Sequence, residues 1–264
     1  MGLTRLPRDV FLRDYFEYLP GQHLAIIYPT GGGKTHLKYQ LLREAMRQQP
    51  QLSVRVTLPK RKDPPAARWN KALGLREVPR WPPPPTLRGK PPGYALWPKH
   101  IIGQPGQDPE AVLARNDAHL ERQFKICAQD AYQTGDCIYD ADDIYVQAVI
   151  YDMNRFFDEM LTMGGIMGCG LWGENQKPSG TPRGSVTSFF YSAPTHLFLG
   201  YDREERNRKR FGEIGGIDSR YVSHVVLNEL KMHRIDDHDV SDVLYISKAG
   251  TESGLGPQLC IIGP

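Results

Sequence analysis

Apolar residues along this chain fall into blocks whose period changes. Residues 23–28, HLAIIY, are a short apolar run and predict a buried strand. PTGGGKT follows at once. HLKYQLLREAM comes next and predicts a helix, with Leu37, Leu41 and Ala45 on one face. SVRVTLP, residues 53–59, alternates with period two and predicts a second strand running into a basic turn, KRKDPP.

Residues 78–107 are rich in Pro and Gly, with WPPPP and KPPGYALWP, and predict a surface excursion with little regular structure beyond a strand near Tyr94–Trp97. From Asp108 to Thr134 the helical period returns, with Leu120, Phe124, Cys127 and Ala131 in register. Gly135 breaks it. After CIYDADD a stripe of Val146, Val149, Ile150, Met153, Phe157 and Met160 predicts another helix. GCGLWGENQ (168–176), THLFLGYD (195–202) and DVLYIS (242–247) predict strands, and REERNRKRFGEI and SRYVSHVVLNEL predict helices. Strands alternating with helices imply an α/β fold with a mostly parallel sheet. The length suits one domain over residues 1–264, with an N-terminal segment 1–20 and a Pro/Gly-rich insertion 78–107.

Composition changes this picture little. Lys and Arg total 33 against 30 Asp and Glu, so a nucleic-acid surface would have to be local. The four cysteines, Cys127, Cys137, Cys169 and Cys260, lack C-x-x-C or zinc-ligand spacing and read as reduced, buried thiols. No leader-like apolar segment opens the chain and no run of apolar residues is long enough for a membrane span, so a cytoplasmic location and no membrane partner are expected.

The chemistry concentrates at Pro29, Thr30, Gly31, Gly32, Gly33, Lys34, Thr35 and His36. With Tyr28 in front, this matches the Walker A pattern everywhere except its first position, where Tyr28 replaces Gly. Glycines let the backbone curl so that its N–H groups point at phosphate oxygens, and the following helix start adds partial positive charge. Lys34 can reach the β- and γ-phosphates of ATP, and the Thr35 hydroxyl can ligate Mg²⁺. Tyr28 implies that the first loop position needs no left-handed backbone.

Such a loop works with an acidic residue at the end of another strand. Asp142 and Asp152 both follow apolar segments. The helical stripe around residues 146–161 puts Asp152 on the polar side of a helix, which favours Asp142, although Asp140 interrupts the strand before it. Asp143 then stands where a water-positioning carboxylate is expected, one methylene shorter than the usual Glu. A polar residue ending the strand beside the nucleotide can sense the γ-phosphate, and Gln176 is so placed. As a plain helix cap or surface amide, Asp143 and Gln176 would do neither.

The order PTGGGKT, AYQTGDCIYDADD, a helix, then GLWGENQKP resembles FtsK/HerA-superfamily ATPases, and more closely small FtsK-like ATP-binding proteins of phages and mobile elements. TLPKRKDP, RWPPPP, YALWP, PTHLFLGYDREERNRKRFGEIGG and DVLYIS keep the order found there. The resemblance spans residues 21–247 and implies a RecA/FtsK-like P-loop NTPase fold with ATP and Mg²⁺ as cofactors. It implies Lys34, Asp143 and Gln176 as catalytic residues and Thr35 and Asp142 as metal-binding ones. It also implies a homo-oligomeric ring, a hexamer in the family, in which a neighbour supplies an arginine. Arg203, Arg206, Arg208 and Arg210 are candidates, on a helix that otherwise reads as a solvated face. DNA phosphates could meet that helix or Lys60, Arg61 and Lys62. Tyr28, Asp143, Asn175 and Lys177 depart from the family pattern.

The expectation is therefore an ATP-hydrolysing motor coupled to DNA translocation or packaging. A nucleotide-binding switch or assembly factor with weak hydrolysis is the alternative, and a small-molecule P-loop kinase the third.

Overall fold

The computed structural model describes residues 3–85, 92–178, 184–235, 238–249 and 259–264. In chain order, β1 (Thr4–Pro7) and α1 (Arg8–Asp14) precede β2 (Leu24–Ile27) and α2 (Lys34–Gln48). β3 (Ser53–Thr57), α3 (Pro64–Ala72), β4 (Arg76–Val78), β5 (Gly93–Leu96) and α4 (Pro109–Thr134) follow. β6 (Cys137–Ala141) leads through a π-helical turn at Val146–Ile150 to α5 (Asn154–Met163) and β7 (Cys169–Asn175). Then come α6 (Phe189–Ser192), β8 (His196–Gly200), α7 (Glu205–Gly215) and α8 (Ser219–Asn228). β9 (Met232–Ile235) and β10 (His238–Ser241) form a separate hairpin, and β11 (Val243–Ser247) and β12 (Leu259–Gly263) close the described chain.

Ten strands form one sheet in the order β1-β12-β11-β8-β2-β7-β6-β3-β5-β4. All neighbours are parallel except β11, which runs against both β8 and β12. The order matters for the site. β7 stands between β2, which feeds the glycine loop, and β6, which carries the acidic residues.

Strand side chains alternate between two apolar layers, as period two requires. Ala25, Ile27, Tyr139 and Ala141 join one layer with α4, α5, α7 and α8. Leu24, Ile26, Ile138 and Trp172 join the other with α1, α2 and α3. Even-numbered positions of β6 and β7 therefore face α2. Asp140, Asp142 and Glu174 lie on that register.

The expected elements form, with four differences. Residues 146–161 are not one helix. The π-helical turn ends at Tyr151, Asp152 adopts a left-handed φ of 48°, and Met153 N–H bonds back to the carbonyls of Gln147 and Ala148 before α5 begins. Within the widened turn the Gln147 amide donates to Thr57 Oγ1 at 2.9 Å and to the Asp142 carbonyl at 3.0 Å. Asp140 does not interrupt its strand but lies within β6, fully buried. Within 78–107, the strand expected near Tyr94–Trp97 forms as β5, but it lies inside the sheet between β3 and β4 rather than on a surface excursion, while residues 86–91 of that insertion lie outside the described residues. Finally, KRKDPP is more than a turn. Asp63 caps α3 by accepting from Ala66 N–H at 3.0 Å, with Pro64 in the first turn.

The four cysteines are buried and unbridged. No helix among the described residues is long and apolar enough to cross a membrane.

Candidate functional site

The glycine loop joins β2 to α2. Gly31 and Gly33 have φ of 88° and 83°, a region that side chains strain to occupy. Tyr28 does not, as expected. Its buried ring lies under the loop, where a Cβ on Gly32 would come within 2.9 Å of it and a Cβ on Gly200 within 2.3 Å. Two glycines thus make room for one aromatic ring. The Lys34 ammonium donates to the carbonyls of Tyr28 and Pro29 at 2.7 and 2.9 Å, so it is held inside the loop. Thr30, Gly31, Gly33, Lys34, Thr35 and His36 line a cavity of about 940 Å³ at the start of α2. Pro29 and Gly32 shape the loop without being among the lining residues.

On α2, Lys38 lies one turn beyond Lys34 and faces the sheet. It takes a position of the apolar stripe Leu41, Leu42 and Ala45 at helical spacing. Its ammonium is 3.0 Å from Asp140 Oδ2, 3.0 Å from Asp142 Oδ1 and 3.1 Å from Glu174 Oε1. Burial disfavours the charged ammonium, but Asp140, Asp142 and Glu174 outweigh it and hold the Lys38 pKa well above its ordinary value.

The three carboxylates respond differently. Burial pushes Asp140 up to about 7, with Lys38 opposing. Burial likewise raises Glu174. Asp142 is pushed up by burial too, yet Lys38 and Lys60 together hold it below the usual carboxylate range. Lys60 Nζ is 3.2 Å from Asp142 Oδ2 and 3.1 Å from Asp63 Oδ2. Of the three, Asp142 is the acid held below its ordinary range, and it is fully buried behind Lys60.

Three acids face the cavity: Asp143 and Glu174 beside the glycine loop, and Asp239 on the hairpin. Asp143 has a left-handed φ of 50°, tolerated by Asp more readily than by most residues, and its carboxylate accepts from Val146 N–H at a long 3.4 Å. Burial and then Asp142 raise its pKa. Lys34 is lowered by burial, with Glu174 the largest opposing influence and Asp143 next. Gln176 follows β7 and lines the same cavity, its N–H bonded to Asn175 Oδ1 at 2.8 Å. Asn175 in turn donates to the Tyr191 hydroxyl at 2.9 Å, an anchoring role. Thr35, Asp143 and Glu174 put hard oxygen donors on the wall, which suits Mg²⁺, with Asp142 placed to act through water rather than directly.

The structure thus gathers Lys34, Thr35, Asp142, Asp143 and Gln176 around one cavity. It leaves Asp152 outside, its side chain 89% exposed and 3.7 Å from Lys125. Of the candidate arginines, Arg208 is buried and bonded to the Asp202 carbonyl and Ser223 Oγ, a structural commitment. Arg210 pairs with Glu213 at 2.7 Å, while Arg203 and Arg206 are exposed. Three contributors escape a linear reading: Lys38, Glu174 and the inward turn of Lys60. A lysine on an apolar helical stripe and an acid two residues after Trp172 on a buried strand are the signals that could have found the first two.

No family model and no curated protein matches the chain. Solved structures match it in fold. The genome-packaging NTPase B204 from Sulfolobus turreted icosahedral virus 2, in complex with sulfate, aligns with TM-score 0.55 and 12% identity over 93% of this chain and 97% of that one. The DNA-packaging ATPase B204 from Sulfolobus turreted icosahedral virus gives 0.55 and 16%, over 94% and 99%. The first virus's enzyme with AMPPCP gives 0.51 and 10%, over 94% and 100%. The chain has the P-loop NTPase fold.

Proposed function

We propose that this chain binds ATP with Mg²⁺ and hydrolyses it as a motor subunit, coupling turnover to DNA translocation or packaging. One observation carries the hydrolytic part: Lys34 and Thr35 of the glycine loop share a single cavity with the carboxylates of Asp143 and Glu174, beside an Asp142 held ionised. Lys34 would exchange its loop carbonyls for the phosphates, the N–H groups at the start of α2 would take phosphate oxygens, and Thr35 would hold the metal ion directly with Asp142 acting on it through water. Mg²⁺ would supply charge neutralisation on the β- and γ-phosphates. Water attacks the γ-phosphorus, the bond to the β-phosphate oxygen breaks, and ADP and phosphate leave. Asp143 would orient that water and Gln176 would touch the γ-phosphate.

The motor part is supported by the fold shared with two viral proteins described as packaging NTPases. A homo-oligomeric ring would follow, with DNA meeting exposed basic residues such as Arg61 and Lys62. The test is ATP turnover with and without duplex DNA, with oligomer mass measured on the same sample. Stimulated turnover by a ring supports the motor. Slow turnover unchanged by DNA supports a nucleotide switch, a reading favoured by the Asp143 carboxylate already capping the turn at Val146.

A further inference from the structure

The cavity extends past the phosphate loop to a wall that triphosphate chemistry leaves unused. Trp69 of α3 lines it while only partly buried. Its indole lies parallel to the Tyr39 ring, with centroids 5.8 Å apart and planes 3° apart, and meets the His36 ring at 5.2 Å and 61°. Tyr39 is fixed in turn, its hydroxyl donating to Asn70 Oδ1 at 2.9 Å. The indole is therefore a preorganised surface. His36 places it next to Thr35 and so next to the loop.

The hairpin supplies apolar wall from another element. Ile235 and Val240 line the same cavity. The hairpin is pinned to the loop: Ser241 N–H donates to the Gly32 carbonyl at 3.2 Å, and a Val240 methyl lies 3.5 Å from where a Gly33 Cβ would stand. Flat aromatic and branched aliphatic surface beside a phosphate cradle is what a heterocyclic base requires.

Resting on the nucleotide reading above, we infer that this wall is a nucleobase subsite, in which a purine ring lies against Trp69 with Ile235 and Val240 on the hairpin side. Among the described residues, the polar side chains on this wall are His36, packed against the indole, and Arg68, Arg234 and Asp239, the last two paired at 3.3 Å in solvent-exposed positions. Strong discrimination needs buried polar groups that a wrong base would leave unpaired, and an exposed pair does not provide them. The subsite therefore accepts adenine and guanine with similar affinity.

The experiment compares ATP, GTP and inorganic tripolyphosphate by calorimetry on wild type, Trp69→Ala, Trp69→Phe and Ile235→Ala. Trp69→Ala is expected to weaken both nucleotides roughly 10- to 100-fold, with tripolyphosphate unchanged. Trp69→Phe restores most of the affinity, and Ile235→Ala gives a smaller loss of the same kind. Ile235 is 42% exposed, so that variant carries the test if Trp69→Ala melts. Nucleotide affinity unchanged in Ile235→Ala and in a folded Trp69→Ala, or equal losses for tripolyphosphate and nucleotides, overturns the subsite while leaving the phosphate loop intact. Wild type that binds neither ATP nor tripolyphosphate overturns both. A preference between ATP and GTP above about tenfold overturns the shared-base part.

Discussion

The Lys38 ammonium lies 3.0 Å from Asp142 Oδ1, with 1% of the Lys38 side chain and none of the Asp142 side chain open to solvent. That contact is a relation between elements as much as residues. It ties α2, whose first residue is the loop lysine, to the end of β6. Asp140 and Glu174 complete the contact from β6 and β7, so one cation holds three acids beside the nucleotide cavity. Desolvated charges of this kind stabilise little in net terms, but their loss one at a time is costly.

Lys38→Met is expected to destabilise the fold by about 3–5 kcal/mol, because it leaves buried carboxylates without their counter-ion. Combining it with Asp140→Asn should recover part of that loss. Urea unfolding of the two variants checks this, and an additive double variant would mean that the groups are not coupled.

Lys34→Ala should behave in the opposite way. Lys34 donates to loop carbonyls and stands 5.1 Å from the centre of the Tyr28 ring, contacts within the loop itself, so melting should change little, while ATP binding weakens roughly tenfold or more and turnover is lost. Calorimetry beside a melting curve separates the two effects.

Asp143 and Glu174 can be told apart by substitution. Asn keeps both the left-handed backbone and the cap at position 143, so Asp143→Asn should melt normally. Turnover falling about 100-fold in that variant would assign it the water. Asp143→Glu, in a conformation costing about 1 kcal/mol for longer side chains, should lower stability. If instead Asp143→Asn turns over normally and Glu174→Gln is dead, the water belongs to Glu174. Asp152→Asn serves as a control, expected to change neither property.

A pH prediction concerns the far end of β8. Burial holds His196 neutral, its pKa pushed down to about 3, between the Tyr245 hydroxyl at 2.8 Å and Gln22 Oε1 at 2.9 Å. The unfolded chain protonates this group near its ordinary value, so below that pH the unfolded state binds more protons and stability falls as pH falls. The stability advantage of wild type over His196→Gln should therefore shrink by about 1.4 kcal/mol per pH unit below about 6. Asp140, raised to about 7, changes stability with the opposite sign over part of this range, but it is common to both proteins and drops out of the difference. Denaturant curves at pH 7, 6 and 5 measure it.

The glycine loop and most helices and strands were legible because their information is local. A run of glycines ending in Gly33-Lys34-Thr35 between a strand and a helix carries its own context. The place of Asp142, at the end of a strand beside the glycine loop and unlike exposed Asp152, was legible through periodicity, although the helix invoked to set Asp152 aside is a π-helical turn followed by α5. An apolar stripe does not distinguish the two, since a single widened turn barely moves it. Lys38 and Glu174 were not legible as partners, because their contact depends on β7 lying between β2 and β6. No spacing in the chain states that order. β1, β4 and β12 escaped for a related reason: strands of three to five residues at a sheet edge or beside one offer too few alternations to reveal a period.

The Tyr28 ring under the loop links two positions that could otherwise vary independently. An aromatic ring at 28 and a Cβ at 200 cannot occupy the same space. Any lineage carrying this ring must retain glycine at 200, whereas one with glycine at 28 is released from that constraint. Gly200→Ala meets a clash while the ring is present, whereas loss of the ring at 28 meets none, so the two changes have a fixed order. Position 28 must shed its ring before position 200 can gain a side chain, and position 200 must be glycine before position 28 can gain one.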